Sequence, residues 1–198
     1  MEEISAVDIL VENLKKRGIN PEIQRIEKTL IQPGSSRMWN KKSVLAKFDS
    51  ILYYAVDSYG AIAHSSNTFT GVYTEIFNGS DIDCTLYRKD WIHKLLVRNR
   101  IRAGVRYIDD YLTITSQSKY NPSSLLTHSD VSLFLKINEA INPLKLIIEK
   151  GYPPSIVNDS KKLMVGLETD YWVYKDAEIE LLLNQGIRLI KSIKVASA

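Results

Sequence analysis

Two aspartates stand two residues apart in the segment Asn78-Gly79-Ser80-Asp81-Ile82-Asp83, directly after an apolar run. At the end of a strand, both carboxylates could turn toward one hard cation that also binds substrate phosphate oxygens. The same spacing occurs in solvated turns, where an aspartate caps its own backbone. Asp81 and Asp83 are therefore candidate metal ligands whose interpretation depends on the elements around them.

The N-terminal half of the chain shows both helical and extended patterns. Apolar residues between positions 4 and 14 recur with helical spacing, and Gly18 follows them as a stop signal. Residues 43–59 place their apolar side chains on one face of a second, longer helix. Residues 61–86 are rich in β-branched and aromatic types with turn formers between them, which predicts core strands.

The C-terminal half continues the alternation of elements. The patterns predict a helix over 90–98, strands over 103–108 and 112–115, helical structure over 130–150 with a break near Pro143, a strand over 163–167, a helix over 176–185 and a strand over 187–195. Strands that alternate with helices favour one α/β domain over residues 1–198. Its central sheet is expected to be mostly parallel or mixed and flanked by helices.

Composition and charge exclude several classes of protein. The chain has 198 residues, of which 44% are hydrophobic and 25% charged, so disordered and fibrous classes are excluded. The 26 basic and 23 acidic residues give a net charge of +3, which is not a strong nucleic-acid signal. No apolar run predicts a transmembrane segment, the acidic start is unlike a secretory signal, and Cys84 is the only cysteine. We therefore expect a cytoplasmic protein.

Two blocks of sequence resemble one enzyme family. Residues 80–114, SDIDCTLYRKDWIHKLLVRNRIRAGVRYIDDYLTI, look like the centre of nucleotide-sugar glycosyltransferases with the GT-A fold, where an Asp-x-Asp at a strand end precedes a pair similar to Asp90-Trp91, a helix and a strand. Residues 170–193 are similar to the later family segment in which an acidic residue opens a helix. Asp176 falls at that acidic position, 93 residues after Asp83.

The resemblance implies a GT-A-like, Rossmann-related fold and a metal-dependent glycosyltransferase. Asp83, assisted by Asp81, would hold Mn²⁺ or Mg²⁺ against the diphosphate of a nucleotide-diphosphate sugar donor. Asp176 would be the catalytic base that accepts a proton from the hydroxyl of a glycan, protein or lipid acceptor. A second interpretation stays open for Asp176, because a carboxylate at this position can also cap a helix.

Two alternatives belong to other functional classes. The run from 63 to 87 also resembles the signature of minimal nucleotidyltransferases, in which a third carboxylate, here Asp110 or Asp109, would complete a two-metal site with Asp81 and Asp83. The segment that ends in Asp109-Asp110 looks like the strand-turn of reverse-transcriptase palms, but we interpret it as a polar turn between strands. The last alternative is a non-catalytic binding module of the same fold.

Overall fold

The structure, a computed structural model, describes residues 5–32, 35–60, 67–76, 82–90, 99–116, 122–154, 156–157 and 159–193, with only the backbone for 28–32, 35–39, 59–60 and 122. Its nine strands form one sheet in the order β1-β2-β3-β4-β9-β8-β5-β7-β6. The strands are β1 (Glu22–Gln32), β2 (Ser35–Phe48), β3 (Ile51–Gly60), β4 (Asn67–Ile76), β5 (Cys84–Arg88), β6 (Arg100–Ile101), β7 (Leu112–Ser116), β8 (Leu144–Lys150) and β9 (Leu163–Thr169). Every pairing between neighbouring strands is antiparallel.

Helical elements connect and cover these strands. They are α1 (Ala6–Lys16), α2 (Arg106–Asp109), a 3-10 turn (Pro122–Ser124), α3 (His128–Ala140), α4 (Asp176–Leu181), a π-helical turn (Leu182–Gly186) and α5 (Ile187–Ser192). Ser5 caps α1 by accepting a hydrogen bond from the backbone N–H of Asp8, and Gly18 follows the helix with a φ of 74°. Within the described ranges, no helix combines the length and apolar character needed to cross a membrane.

The predicted α/β class, a GT-A-like domain with a mostly parallel or mixed sheet, is wrong. Residues 43–59 contribute most to the error, because they form β2, a turn and β3 rather than one helix. Their apolar residues also fit the period of two in a strand, and Val44, Ala46 and Tyr53 point to the same covered face. Asp49, with a φ of 49°, lies in the turn that reverses the chain between the two strands.

Three further predictions of secondary structure are wrong and several are confirmed. The helical stretch predicted to 150 ends at Ala140, and its second half is β8. The predicted C-terminal strand is α5, and the predicted strand over 103–108 contains α2. Helix α1, strands β7 and β9 and the start of α4 are confirmed. The predicted helix over 90–98 lies almost entirely outside the described residues.

One face of the sheet is covered by the helices. Alternate residues of the strands pack there against α1, α3 and the C-terminal helical elements, and the apolar side chains between them are almost fully buried. Each such side chain contributes about 1.5–3 kcal/mol by leaving water. Asp130 on α3 accepts a hydrogen bond from the Ser192 hydroxyl at 2.6 Å, which fastens α3 to α5.

The opposite face, which we call the open face, carries a shorter cover. The connection between β8 and β9 folds back over it, so that Tyr152, Ile156 and Val157 pack beside Tyr73 and Met164. The ring of Tyr73 lies flat over the sheet, because two glycines leave the space beneath it. A Cβ atom at Gly71 or Gly166 would overlap that ring.

Candidate functional site

The structure describes one member of the predicted metal pair, since Asp81 lies outside the described residues. Asp83 directly precedes β5, and its backbone carbonyl accepts a hydrogen bond from the Ser116 hydroxyl at 2.5 Å. Burial, and secondarily the Asp83 carboxylate, raise the pKa of Glu149. In the part of the chain that is described, no three His, Cys, Asp or Glu side chains converge on a metal position. Binding of Mn²⁺ or Mg²⁺ by Asp81 and Asp83 stays a prediction.

Asp176, the predicted base, is the first residue of α4 and is tied to α1. Its Oδ1 accepts a hydrogen bond from Arg17 Nη1 at 2.8 Å, and the Arg17 Nε donates to Glu180 at 3.0 Å. The hydrogen bond from Arg17 lowers the pKa of the Asp176 carboxyl, which otherwise faces solvent. The N-cap position belongs to Lys175, so Asp176 does not cap the helix. Its described role is to join two helices.

Asp83 and Asp176 are not brought together. Cys84, the residue after Asp83, is level with Ile148, which in turn is paired with Val165 on β9. Asp176 follows the far end of β9, beyond Thr169. The four residue steps between Val165 and Thr169 alone span about 13 Å at a rise of about 3.3 Å per residue. No single substrate centre between the two carboxylates is formed in this arrangement.

The alternative carboxylate set is also separated. Strands β5 and β7 pair from Cys84 with Ser116 to Arg88 with Leu112, so Asp83 and Asp110 lie beyond opposite ends of this ladder. The ladder itself is about 13 Å long, whereas two catalytic metals share ligands within about 4 Å of each other. Asp109 accepts backbone hydrogen bonds from Ala103 at 2.8 Å and Gly104 at 3.0 Å. It therefore closes a polar turn.

Glu168 is a charged residue that lies on the open face and is almost completely buried. Its carboxylate accepts hydrogen bonds from the Tyr73 hydroxyl at 2.6 Å and the Tyr152 hydroxyl at 2.7 Å, and it pairs with Lys145 Nζ at 2.8 Å. Lys145 also pairs with Asp170 at 2.7 Å. Burial lowers the pKa of Lys145, but the two carboxylates outweigh it and the pKa is raised.

Each polar group of this network has a partner from within the fold. Burial and the neighbouring Glu168 raise the pKa of Tyr73 well above its ordinary value, so its hydroxyl stays a donor. The carboxylate has three donors, and both tyrosine hydroxyls and the ammonium group have acceptors. We assign the network to holding the β8–β9 connection on the sheet, because little of Glu168 remains accessible to a ligand.

A different arrangement lies at the β6 edge of the sheet. β6 has only two residues, which pair with Ile114 and Thr115, and no other strand of the described residues pairs with β7 on that side. A cavity of about 590 Å³ opens there. Its cationic lining consists of Lys89, Arg100 and Arg102, and its apolar lining includes Ile101, Leu112 and Ile114. We call this region the cationic edge.

Two acidic residues also line the cationic edge, and each has a partner. The Asp109 carboxylate is held by the two backbone N–H groups described above, and Asp110 lies 3.9 Å from the guanidinium of Arg106. Lys89 Nζ donates to the backbone carbonyl of Asp109 at 2.6 Å, and among the described residues no carboxylate pairs with it. The lining therefore has three cations and two carboxylates that are already hydrogen-bonded or ion-paired.

The excess of positive charge in the sequence is concentrated in the segment that contributes to the cationic edge. Of the 26 lysines and arginines, seven lie between Arg88 and Arg106, whereas Asp90 is the one acidic residue in that interval. The rest of the chain has 19 basic and 22 acidic residues, a formal charge of −3. The net charge of +3 averages over this distribution, so the overall charge of the chain does not point to the region. A local charge count would have found the segment but not the residues that line the cavity.

Comparisons of the chain with models of protein families, with curated proteins and with solved structures find no match. The glycosyltransferase hypothesis thus stays a prediction from the two sequence blocks. The fold implied by that resemblance is contradicted, and Asp83 and Asp176 lie apart. The cationic edge is the candidate site that rests on the geometry of the described residues.

Proposed function

We propose that the protein binds nucleic acid at the cationic edge. The observation that carries this proposal is the convergence of Lys89, Arg100 and Arg102 on one cavity, within the segment that holds the chain's excess of positive charge. Lysine and arginine side chains clustered on one face form the electrostatic footprint of a phosphate backbone. The cavity volume also falls within the range of about 300–1,000 Å³ that is typical of small-ligand pockets.

The geometry favours backbone contacts. Arg100 and Arg102 alternate about Ile101, and both are exposed at the end of a strand, so their guanidinium groups are separated by one residue along the edge. Guanidinium groups bind phosphate oxygens through two parallel hydrogen bonds, while Lys89 supplies a point charge from the end of β5, on the other side of β7. Contacts of this kind bind nucleic acids of many sequences and weaken as salt displaces them.

Salt dependence provides the test. A fluorescein-labelled oligonucleotide of about 16 nucleotides, the upper end of common single-strand site sizes, is titrated as a single strand and as a duplex between about 50 and 200 mM salt. Arg102→Gln is compared with Lys136→Gln, which removes one charge from an exposed position on α3. We expect the slope of log K against log salt to fall by about 0.7–0.9 for Arg102→Gln only.

Two results would contradict the proposal. One is the absence of binding to both forms at the lowest salt concentration. The other is an equal effect of Arg102→Gln and Lys136→Gln, which would mean that the affinity follows net charge rather than the cavity. Circular dichroism of both variants checks that each retains the wild-type fold.

A further inference from the structure

The sheet ends in two different edge strands. At one end β6 has two residues, and at the other end β1 has eleven. β1 pairs with β2 over its whole length, and no other strand of the described ranges pairs with its outer side. Since the backbone groups of a strand point alternately to its two sides, about half of the N–H and C=O groups of β1 point away from β2. A long edge of this kind is a template for pairing with another strand.

The side chains of β1 are also left uncovered. Between residues 22 and 27, Ile26 is half-buried and the other five side chains are exposed. Ile23 is 43% exposed, and exposed large apolar side chains are few in the described ranges. No element in the described part of the chain therefore buries this end of the sheet.

A second copy of this chain carries the same edge, and symmetry limits how two copies can pair. Two copies of β1 continue one antiparallel sheet when a twofold axis perpendicular to the sheet relates them. The axis keeps each side chain on its own face, and side chains alternate between the faces along a strand. One residue of β1 must therefore lie at the axis, opposite the same residue of the other copy.

The charges of β1 favour one of these registers. An axis at Arg25 places two arginines opposite each other, and an axis at Glu27 places two glutamates opposite each other. An axis at Ile26 instead places Arg25 of each copy opposite Glu27 of the other. Opposite side chains in an antiparallel pair have Cβ atoms about 4.5–5.5 Å apart, so unlike charges stabilise the pair and like charges destabilise it. An axis at Gln24 limits the pairing to residues 22–26, because the strand begins at residue 22.

We propose that the protein forms a symmetric dimer in which β1 pairs antiparallel with β1 of a second copy, with Ile26 at the twofold axis. Glu27 is exposed and has no ion pair among the described residues, so its carboxylate can accept from Arg25 of the other copy. Arg25 contacts Asp8 of its own chain at 3.3 Å, and its guanidinium has donors for both carboxylates. Residues 22–30 of the two strands overlap in this register.

This inference does not rest on the proposed function, because β1 and the cationic edge lie at opposite ends of the sheet. Pairing of β1 with β1 would join two sheets into one and leave a cationic edge at each outer end. The dimer would therefore present two nucleic-acid sites of the proposed kind, and dimerisation would block neither of them.

Charge reversal tests the register. Sedimentation velocity over a wide range of protein concentrations measures the dimer affinity of the full chain. Arg25→Glu and Glu27→Arg each turn two attractive contacts into two repulsive ones, so we expect each to weaken the dimer roughly 10- to 100-fold. The double variant Arg25→Glu/Glu27→Arg again places unlike charges opposite each other and should dimerise as the wild type does. Two controls should not change the affinity, namely Asp8→Asn, which removes the contact within the chain, and Lys136→Glu, at an exposed position on α3.

Disulfide formation locates the axis. In the proposed register the Cα atoms of the two copies of residue 26 lie about 4.5–5.5 Å apart, within the range that a disulfide bond spans. The native Cys84 is buried, so Ile26→Cys should give a disulfide-linked dimer under mild oxidation. Gln24→Cys is the control, because the two copies of residue 24 would be offset by four residue steps, about 13 Å.

Three results would overturn the inference. The first is a wild type that stays monomeric at every concentration, and the second is a dimer that the single charge reversals leave unchanged or that the double variant does not restore. The third is a disulfide that forms in Gln24→Cys as readily as in Ile26→Cys. None of these results bears on nucleic-acid binding, so the failure of this inference and the failure of the proposed function can be distinguished.

Discussion

Two carboxylates are buried on opposite faces of the sheet, and the fold accommodates them in different ways. Asp130, under the helices, accepts from the hydroxyl and backbone N–H of Thr127, three positions before it, and from the Ser192 hydroxyl. Glu168, on the open face, accepts from Tyr73 and Tyr152 and pairs with Lys145. The first carboxylate has neutral donors and the second has a counter-charge.

The two carboxylates depend on the rest of the fold to different extents. Two of the bonds to Asp130 come from its own helix cap and form as soon as that turn forms. Every partner of Glu168 is brought to it by strand pairing or by the β8–β9 connection, from 16 to 95 residues away for the tyrosines. Removing Glu168 should therefore damage the tertiary structure more than removing Asp130.

Glu168→Ala provides the strongest test of this difference. The substitution leaves two tyrosine hydroxyls without an acceptor and Lys145 without its buried counter-charge, so we expect the free energy of unfolding to fall by about 3–5 kcal/mol. Asp170 still contacts Lys145, which favours the lower end of that range. Urea denaturation followed by circular dichroism measures the change.

A control lies on the same face. Glu75 pairs with Lys162 at 2.7 Å, but both side chains are partly exposed, so Glu75→Ala should cost less than about 1 kcal/mol. If the two substitutions had equal effects, the Glu168 network would be no more important than a surface ion pair.

Gly166→Ala tests whether the Tyr73 ring must lie flat on the sheet for its hydroxyl to reach Glu168. The added Cβ would overlap that ring, and we expect this overpacking to lower the free energy of unfolding by about 1–3 kcal/mol. In a Tyr73→Leu background the ring is absent, so the same glycine substitution should cost much less. Denaturation of the four proteins in this double-mutant cycle gives the coupling. Additive effects would show that the ring and the glycine do not depend on each other.

Local signals in the sequence predicted the elements that local contacts determine. The apolar spacing over 4–14 and the stop at Gly18 predicted α1, and the helical pattern from Asp130 predicted a helix close to where α3 begins. The period of residues 43–59 fits a helix and a strand pair equally well. The pairing of β2 with β1 and of β3 with β4 is what makes these residues strands.

The candidate site was less predictable than the fold. That β5 follows Asp83 was predicted correctly, but the sequence could not show that Asp176 lies at the far end of β9. The cationic edge depends on how little of β7 is covered by β6, which is a property of strand pairing. Arg100 and Arg102 have the alternation of any half-exposed strand, so their role follows from the cavity and not from their spacing.

Asp130→Asn should have the smallest effect and should depend on pH in a defined direction. Burial acts to raise the pKa of Asp130, but the hydrogen bonds from Ser192 and Thr127 outweigh it, and the pKa lies below its ordinary value of 3.8. A carboxyl whose pKa is lower in the folded state stabilises the fold above the unfolded pKa and loses that contribution as the pH falls through the folded pKa. At neutral pH we expect Asp130→Asn to cost about 1–2 kcal/mol, since the amide cannot accept at both positions.

Below the folded pKa, wild-type Asp130 is itself protonated and also has fewer acceptor sites. The difference in unfolding free energy between wild type and Asp130→Asn should therefore shrink between neutral pH and acid, as measured by urea denaturation at each pH. A difference that stays constant or grows in acid would mean that Asp130 stabilises the helix junction by shape alone. That result would also sharpen the contrast with Glu168, because ionisation would then matter for only one of the two buried carboxylates.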